Sequence, residues 1–320
     1  MNAKKATAQN KHVIPVFFAA DDNYAPYLSV AVCSLAAHAA RRYRYAVHVL
    51  HAGLTPDNAR RLLSPATPHV SVTLIDVTEK LAALRARAVR CDAYLGADYY
   101  RVFIAEMFPQ YDKAVYLDAD VTVLGDVAEL FATDLGGYLL GAVPDADANG
   151  SAVLRRYASR TLGILPQSYF NDGVLLLNLH ALRQEYLYER FLHLLDSQRF
   201  PVAQAQDYFN VLCRDRVLYL NAAWNVAPQS EEHKRPAVVH YSRTRKPWHY
   251  DDVPYRAHFW RYALMSPFLG DILDDRLRFT PECAARDADC ETFRSVRATA
   301  LCAAQGFCHA ARHYADIYGV

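Results

Sequence analysis

The stretch Lys113-Ala-Val-Tyr-Leu-Asp118-Ala-Asp120-Val121 runs apolar for four residues and then delivers two carboxylates, two positions apart, onto its C-terminal end. In an extended chain the side chains at i and i+2 lie on one face, so Asp118 and Asp120 can reach a single cation. Two like charges that close oppose each other's ionisation, and a bound divalent metal removes the conflict. Working outward, the upstream segments Val13-Ile-Pro-Val-Phe-Phe-Ala-Ala20, Tyr45-Ala-Val-His-Val-Leu50 and Val70 to Asp76 are further strands. Between them, Leu28, Ala31, Val32 and Leu35 keep the i, i+3, i+4, i+7 spacing of a helix with one apolar face. Thr55-Pro56 opens another helix, with Thr55 as N-cap and proline in the first turn, where its missing N–H does no harm. Strands alternating with helices over residues 13–125 predict an α/β fold with a mainly parallel sheet.

Downstream, Asp98 to Phe108 has a helical pattern, Leu139 to Val143 and Phe170 to Leu177 are apolar runs, Asp207 to Cys213 is helical, and Val238-Val-His240 is a last short strand. Ligands of open parallel sheets bind outside the carboxyl ends of the strands. Asp21-Asp-Asn23, Asp118-Ala-Asp120 and Asp145 each follow such an end, so one crevice is expected to gather them. Beyond Tyr255 the periodicity weakens into a Cys- and Ala-rich tail. The expected organisation is a polar, disordered leader over residues 1–12, an α/β domain over 13–254 and a helical appendage over 255–320.

Composition narrows the classes of function. Among 320 residues, 35 Lys+Arg stand against 34 Asp+Glu, a formal charge of +1 that argues against a general polyanion binder and against nucleic acid as partner. No apolar stretch approaches the roughly 20 residues of a membrane span, and Met1 to Asn10 lacks the apolar core of a signal peptide. The cytoplasm is the expected compartment. Cysteines at 33, 91, 213, 283, 290, 302 and 308 are scattered and odd in number, which fits reduced thiols better than a disulfide framework. The four nearest the C-terminus lack paired CxxC spacing, so small buried cysteines are expected there in preference to a zinc site.

The chain has neither a Gly-x-Gly-x-x-Gly fingerprint nor a Walker-type loop, and only 12 glycines. A bound nucleotide diphosphate would therefore need a metal in place of a cradle of backbone N–H groups. Asp118 and Asp120 are hard oxygen ligands that leave positions open for phosphate oxygens; the plainer alternative is a pair of solvated turn aspartates. Leu117-Asp118-Ala-Asp120-Val-Thr-Val also resembles the first motif of haloacid-dehalogenase-type phosphatases, in which Asp118 would attack phosphorus and Asp120 act as acid or base. That scheme needs the motif near the start of its domain and an acidic pair beyond a lysine. Here about 100 residues of alternating elements precede it, and the best match, Lys246 with Asp251-Asp252, lies in a proline- and aromatic-rich stretch.

Four segments in order, Phe18-Ala-Ala-Asp21-Asp22-Asn23-Tyr24, Tyr116-Leu-Asp-Ala-Asp120, Tyr169-Phe-Asn171-Asp-Gly-Val-Leu-Leu-Leu-Asn178 and His240-Tyr-Ser-Arg-Thr-Arg-Lys246-Pro-Trp-His249, closely resemble family 8 retaining glycosyltransferases, particularly bacterial α-galactosyl- and α-glucosyltransferases of lipooligosaccharide synthesis. The resemblance spans roughly residues 13 to 250 and implies a nucleotide-diphospho-sugar transferase domain of the GT-A type. It implies transfer of galactose or glucose from UDP-galactose or UDP-glucose to a hydroxyl of a glycan or glycolipid. Asp21, Asn23 and Tyr24 match residues that hold uracil and ribose, and Lys246 matches a lysine on the diphosphate. Asp118, Asp120 and His240 match the metal ligands of the Asp-x-Asp type; a mixed carboxylate and imidazole set suits Mn²⁺ somewhat better than Mg²⁺. Arg101, Asp118, Asn171 and Asp145 match donor-sugar contacts, and Gln206 matches the side chain beneath the anomeric carbon, so Gln206 and Asp145 are the expected catalytic pair. A binding protein that keeps the UDP site without turnover is a further alternative.

Three positions depart from the family pattern. Ala205 stands where an aspartate commonly contacts the donor sugar, and Asp172 stands where a small residue is usual, so Asp172 is expected to supply a substitute carboxylate among the donor-sugar contacts. Arg243 replaces a glycine near the diphosphate, where it would add a phosphate contact or crowd the site. Relatives of this kind often end in a basic, aromatic tail that holds them at the inner face of the membrane. Residues 271–320 carry six Arg and no Lys against eight acidic residues, a balance of −2, which does not supply the cluster of positive charge that such contact needs.

Overall fold

The structure is a computed structural model that describes residues 13–88, 95–229 and 233–304. The expected leader over residues 1–12 lies outside the described residues. Among the described residues there are nine strands: β1 Val13–Ala19, β2 Arg44–His51, β3 Val70–Asp76, β4 Ala114–Leu117, β5 Val121–Val123, β6 Leu140–Pro144, β7 Phe170–Leu177, β8 Val217–Tyr219 and β9 Val238–His240. Seven form one sheet in the order β3-β2-β1-β4-β7-β6-β8, while β5 and β9 make a separate two-stranded ribbon. The pairs of β1 with β2 and β4, of β2 with β3 and of β6 with β8 are parallel. β7 runs antiparallel to both of its neighbours.

The unbroken apolar runs follow from burial on both faces of the sheet. Phe17, Tyr116 and Leu175 point into one core, whereas Val16, Phe18, Val115 and Leu176 point into the other, as the two-residue period of a strand requires. The helix Ala25–His38 packs on the second face, and its buried Ser34 accepts a 2.9 Å hydrogen bond from the backbone N–H of Val123, tying the ribbon to the helix. Thr55 caps the helix Pro56–Leu62 as its position predicts, accepting from the Asn58 N–H. The helical segment expected over Asp98 to Phe108 is wound more tightly, as a 3-10 stretch Ala97–Phe103 followed by Ile104–Met107. Three residues per turn stack position i over i+3, and Arg101 Nε donates to the Asp98 carbonyl at 2.8 Å.

The direction of β7 positions the site. An antiparallel strand brings its beginning to the edge where parallel strands end, so Asn171-Asp172-Gly173 meets Asp118 at the carboxyl end of β4. The β6 register enforces this: its partner jumps from Leu175, opposite Ala142, to Asn171, opposite Val143, leaving residues 172–174 of β7 as a bulge. Bulges bend a strand and re-aim its side chains. Gly173 is thereby turned toward β4, where its carbonyl accepts from the Asp118 N–H at 2.8 Å. Beyond Tyr255 the chain forms the helices Arg256–Ala263, Leu269–Arg278 and Pro281–Ala304.

Candidate active site

Asp118 and Asp120 lie in the turn where the chain leaves the main sheet at β4 and enters the ribbon at β5. β9 returns alongside with His240 paired to Val121, and the Tyr241 N–H donates to the Asp120 carbonyl at 2.9 Å. His240 Nε2 consequently stands 3.2 Å from Asp120 Oδ1 and 3.6 Å from Asp118 Oδ2. One ligand atom from each of the three residues lies within 4.8 Å of the others. Burial acts to raise the Asp120 carboxyl, but Lys246 and His240 outweigh it and hold that carboxyl well below its usual range. Burial likewise opposes charge on His240, yet Asp120 and Asp118 raise it above the ordinary imidazole value.

Two features make this set fit a divalent cation. His240 Nδ1 is 3.0 Å from Asn225 Oδ1, an acceptor, so Nδ1 carries a proton and Nε2 is the nitrogen that a cation between the carboxylates would take in place of a proton. The second is Gly173: a Cβ there would fall 2.1 Å from His240 Cε1 and 2.7 Å from Asp118 Oδ2. Only glycine leaves the cradle open at this close approach.

Arg101 organises the other side of Asp118. Its buried guanidinium donates from Nη2 to Asp118 Oδ1 at 2.8 Å, pairs through Nη1 with Asp172 Oδ2 at 2.8 Å, also donates to the Asp172 carbonyl and lies over the Tyr116 ring. Tyr116 OH donates to the same Asp118 oxygen at 2.8 Å. Asp118 Oδ1 is thus occupied while Oδ2 faces the imidazole. Burial pushes the Asp172 carboxyl up to about 7, with Arg101 pulling against it and Asp118 adding to it. Asp172 lines the crevice beside Arg101, and Ala205 is buried in the core at the start of the helix Ala205–Leu212.

A chain of amides joins the cation cradle to Gln206. Asp145, the N-cap of the helix Ala146–Gly150, accepts from the Ala148 N–H through Oδ1 and from Gln206 Nε2 at 2.8 Å through Oδ2. Because a carboxylate only accepts, the Gln206 amide is oriented with its oxygen toward Asn171 Nδ2, 3.2 Å away. Asn171 Oδ1 then accepts from the Gly173 N–H at 3.0 Å and from Asn225 Nδ2 at 2.8 Å, which leaves Asn225 Oδ1 for His240. Every donor in the series faces an acceptor.

The remaining expected residues lie as follows around this centre. A crevice of about 350 Å³ is lined by Asp21, Tyr24, Arg101, Asp118, Asp120, Asn171, Asp172, Gln206 and His240. Asp21 also caps the turn Asp22–Tyr24, accepting from the Tyr24 N–H at 3.0 Å. Asn23 and Lys246 line the adjoining depression, which Tyr24 shares. Lys246 Nζ donates to Asp120 Oδ2 at 2.6 Å and to the Tyr241 carbonyl at 2.7 Å. Arg243, at φ 122°, turns its side chain to Asp147 at 2.8 Å and Glu291 at 2.5 Å. The acidic pair required by a phosphatase scheme is elsewhere: Asp251 and Asp252 are exposed and pair with Arg256, Arg276 and Arg245.

Sequence reasoning missed Gly173 and Asn225. Gly173 had a signal, a lone glycine inside an apolar run, which marks close backbone approach. Asn225 had none, since it lies in a separate segment 15 residues before its partner.

A family model described as glycosyl transferase family 8 matches residues 15–252. General stress protein A of Bacillus subtilis is 25% identical over 78% of this chain and 93% of its own length. Lipopolysaccharide 1,2-glucosyltransferase of Escherichia coli K12 is 28% identical, over 61% of this chain and 60% of that protein. Among solved structures, the bifunctional glycosyltransferase WbbM superposes with a TM-score of 0.73 at 25% identity over 83% of this chain, which spans about half (52%) of that protein. Galactosyltransferase LgtC, in complex with donor and acceptor sugar analogues, gives a TM-score of 0.62 at 27% identity, over 80% of this chain and 99% of its own.

Proposed function

This chain belongs to glycosyl transferase family 8, and from that premise we propose that it is a metal-dependent retaining hexosyltransferase moving galactose or glucose from a UDP-sugar to a glycan hydroxyl in surface glycan synthesis, such as that of lipooligosaccharide. The observation that carries this reading is the convergence of Asp118, Asp120 and His240 at the carboxyl edge of the sheet, in a crevice that also contains Gln206. On this reading residues 13–254 are the catalytic unit and 255–320 an appendage, helical in its described part, which ends at residue 304. Asp118, Asp120 and His240 would hold Mn²⁺, or Mg²⁺ less well, which would supply positive charge opposite a diphosphate.

The protein's own groups do the rest. Asp21, Asn23 and Tyr24 seat the nucleoside, and Lys246, freed from Asp120 when the donor arrives, lends its charge to the leaving diphosphate. Arg101, Asp118, Asn171 and Asp172 contact the donor sugar. Gln206 is held by Asp145 and Asn171 with its amide oxygen available to positive charge developing at the anomeric carbon. An amide oxygen is a weak nucleophile, so retention follows from acceptor attack on the face that UDP leaves, the leaving phosphate oxygen taking the acceptor's proton. Asp145 acts through Gln206 as a positioning residue. A cytoplasmic location belongs to this proposal, with contact at the inner face of the membrane not supported by the charge of the tail; among the described residues no helix is long and apolar enough to cross a membrane.

The test is a panel of UDP-sugars with Mn²⁺, scored for UDP release with and without glycan acceptors. Metal-dependent release stimulated by an acceptor, with an α-linked product, is expected. Phosphate release from generic monoesters, indifferent to UDP, would overturn the reading.

A further inference from the structure

Next to the cation crevice lies a second cleft of about 530 Å³, and the two share Asn171, Ala203, Gln206 and Ser242 as lining. Gln206 therefore stands at their junction. One wall of the second cleft comes from the helix Pro281–Ala304, which lies wholly outside the family-matched residues. That helix is fixed in place from two sides. Ala298 is fully buried in the core, and Tyr250 OH donates to Asp287 at 2.8 Å.

Arg243 adds the clamp nearest the site. It adopts φ 122°, a region that a side-chain-bearing residue enters only at a cost, and its guanidinium bridges Asp147 on one rim to Glu291 on the other. The residue that replaces a family glycine thus joins the appended helix to the catalytic unit. Phe293 on the same wall is 62% exposed, with the Arg297 guanidinium 5.5 Å from its ring centre. Arg294 and Arg297 form no ion pair among the described residues. The lining carries Asp145, Asp147 and Glu291 against Arg243, Arg294 and Arg297, a balance that suits an uncharged, hydroxyl-rich ligand over a polyanion.

We propose that the helix Pro281–Ala304 supplies the acceptor subsite: a neutral glycan ring stacks on Phe293, its hydroxyls accept from Arg294 and Arg297, and the attacking hydroxyl reaches the junction at Gln206. This rests on the transferase reading above. It adds that acceptor choice is encoded in a segment beyond the family-matched domain. A concave site with one aromatic face and a few convergent polar groups is the general form of a small-ligand site, and an exposed aromatic ring offers an apolar platform of fixed geometry.

The test measures transfer by the full chain to p-nitrophenyl β-D-galactoside, p-nitrophenyl β-D-glucoside and a core oligosaccharide released from lipooligosaccharide, with Mn²⁺ and the best UDP-sugar. Phe293→Ala and Arg294→Ala are expected to raise the acceptor KM at least about tenfold, while the dissociation constant for UDP with Mn²⁺, read by calorimetry, stays within about twofold. Phe293→Tyr, which keeps the ring, is expected to restore the acceptor KM. If the wild-type chain transfers and both alanine variants keep its acceptor KM, the subsite is wrong and the transferase reading stands. If the wild-type chain transfers to none of the probes, the transferase reading falls and the subsite falls with it.

Discussion

At the scale of single residues, the site is governed by which atoms are already occupied. Asp118 Oδ1 is taken by Arg101 and Tyr116, and His240 Nδ1 by Asn225, so Asp118 Oδ2 and His240 Nε2 remain for a cation. Asn225→Leu removes the acceptor that sets the imidazole tautomer, and Mn²⁺ affinity by calorimetry is expected to drop about 10- to 100-fold with the fold retained. Gly173→Ala is expected to abolish Mn²⁺ binding, since its Cβ would occupy the space of His240 Cε1; binding at wild-type strength would show that the cradle can relax. The pH dependence has a definite sign. Protons compete with the cation for His240, whose pKa is raised, so Mn²⁺ affinity is expected to fall as pH drops through that raised value and to level off above it. Asp172→Ala is expected to lower donor turnover or change the preferred UDP-sugar, and unaltered kinetics across the panel would count against its role as substitute carboxylate. Asp118 and Asp120 were legible from their spacing alone, and His240 and Lys246 from their motif. Asn225 was not, because a hydrogen bond between two separate segments leaves no periodic trace in the sequence.

The apolar runs read as strands were legible down to the short β4 and β9. β1, β2, β3 and β7 and the helix Ala25–His38 lie where apolar runs and i, i+3, i+4 spacing put them. The three-residue strands β5 and β8 were not read from the sequence, although β9, of the same length, was. Yet β5 matters for the site, since its pairing with β9 carries His240 to Asp120. Its hold on the helix Ala25–His38 runs through Ser34, a buried hydroxyl that accepts from Val123 N–H and donates to the Ala31 carbonyl. Ser34→Ala strands that N–H without a partner, and urea unfolding is expected to show a loss of about 1–3 kcal/mol.

On the scale of the whole molecule, the two cores on either side of the sheet meet a site built from residues 21 to 246, so a cation and a nucleotide bound there would be linked to global stability. Saturating Mn²⁺ with UDP, each at about 100 times its dissociation constant, is expected to stabilise the chain by a few kcal/mol, seen as a rise in Tm that a chelator reverses. By itself the sequence determined the α/β class, the family, the carboxylate pair and the order of motifs, because those are written in local period and spacing. Tertiary structure alone decided that β7 runs antiparallel and bulges toward β4, that Asn225 aims His240, and that Arg243 reaches away to Asp147 and Glu291. Each of these depends on contacts between segments far apart in the chain, and strand direction, side-chain reach and the tautomer of an imidazole are set by the neighbour that folding supplies.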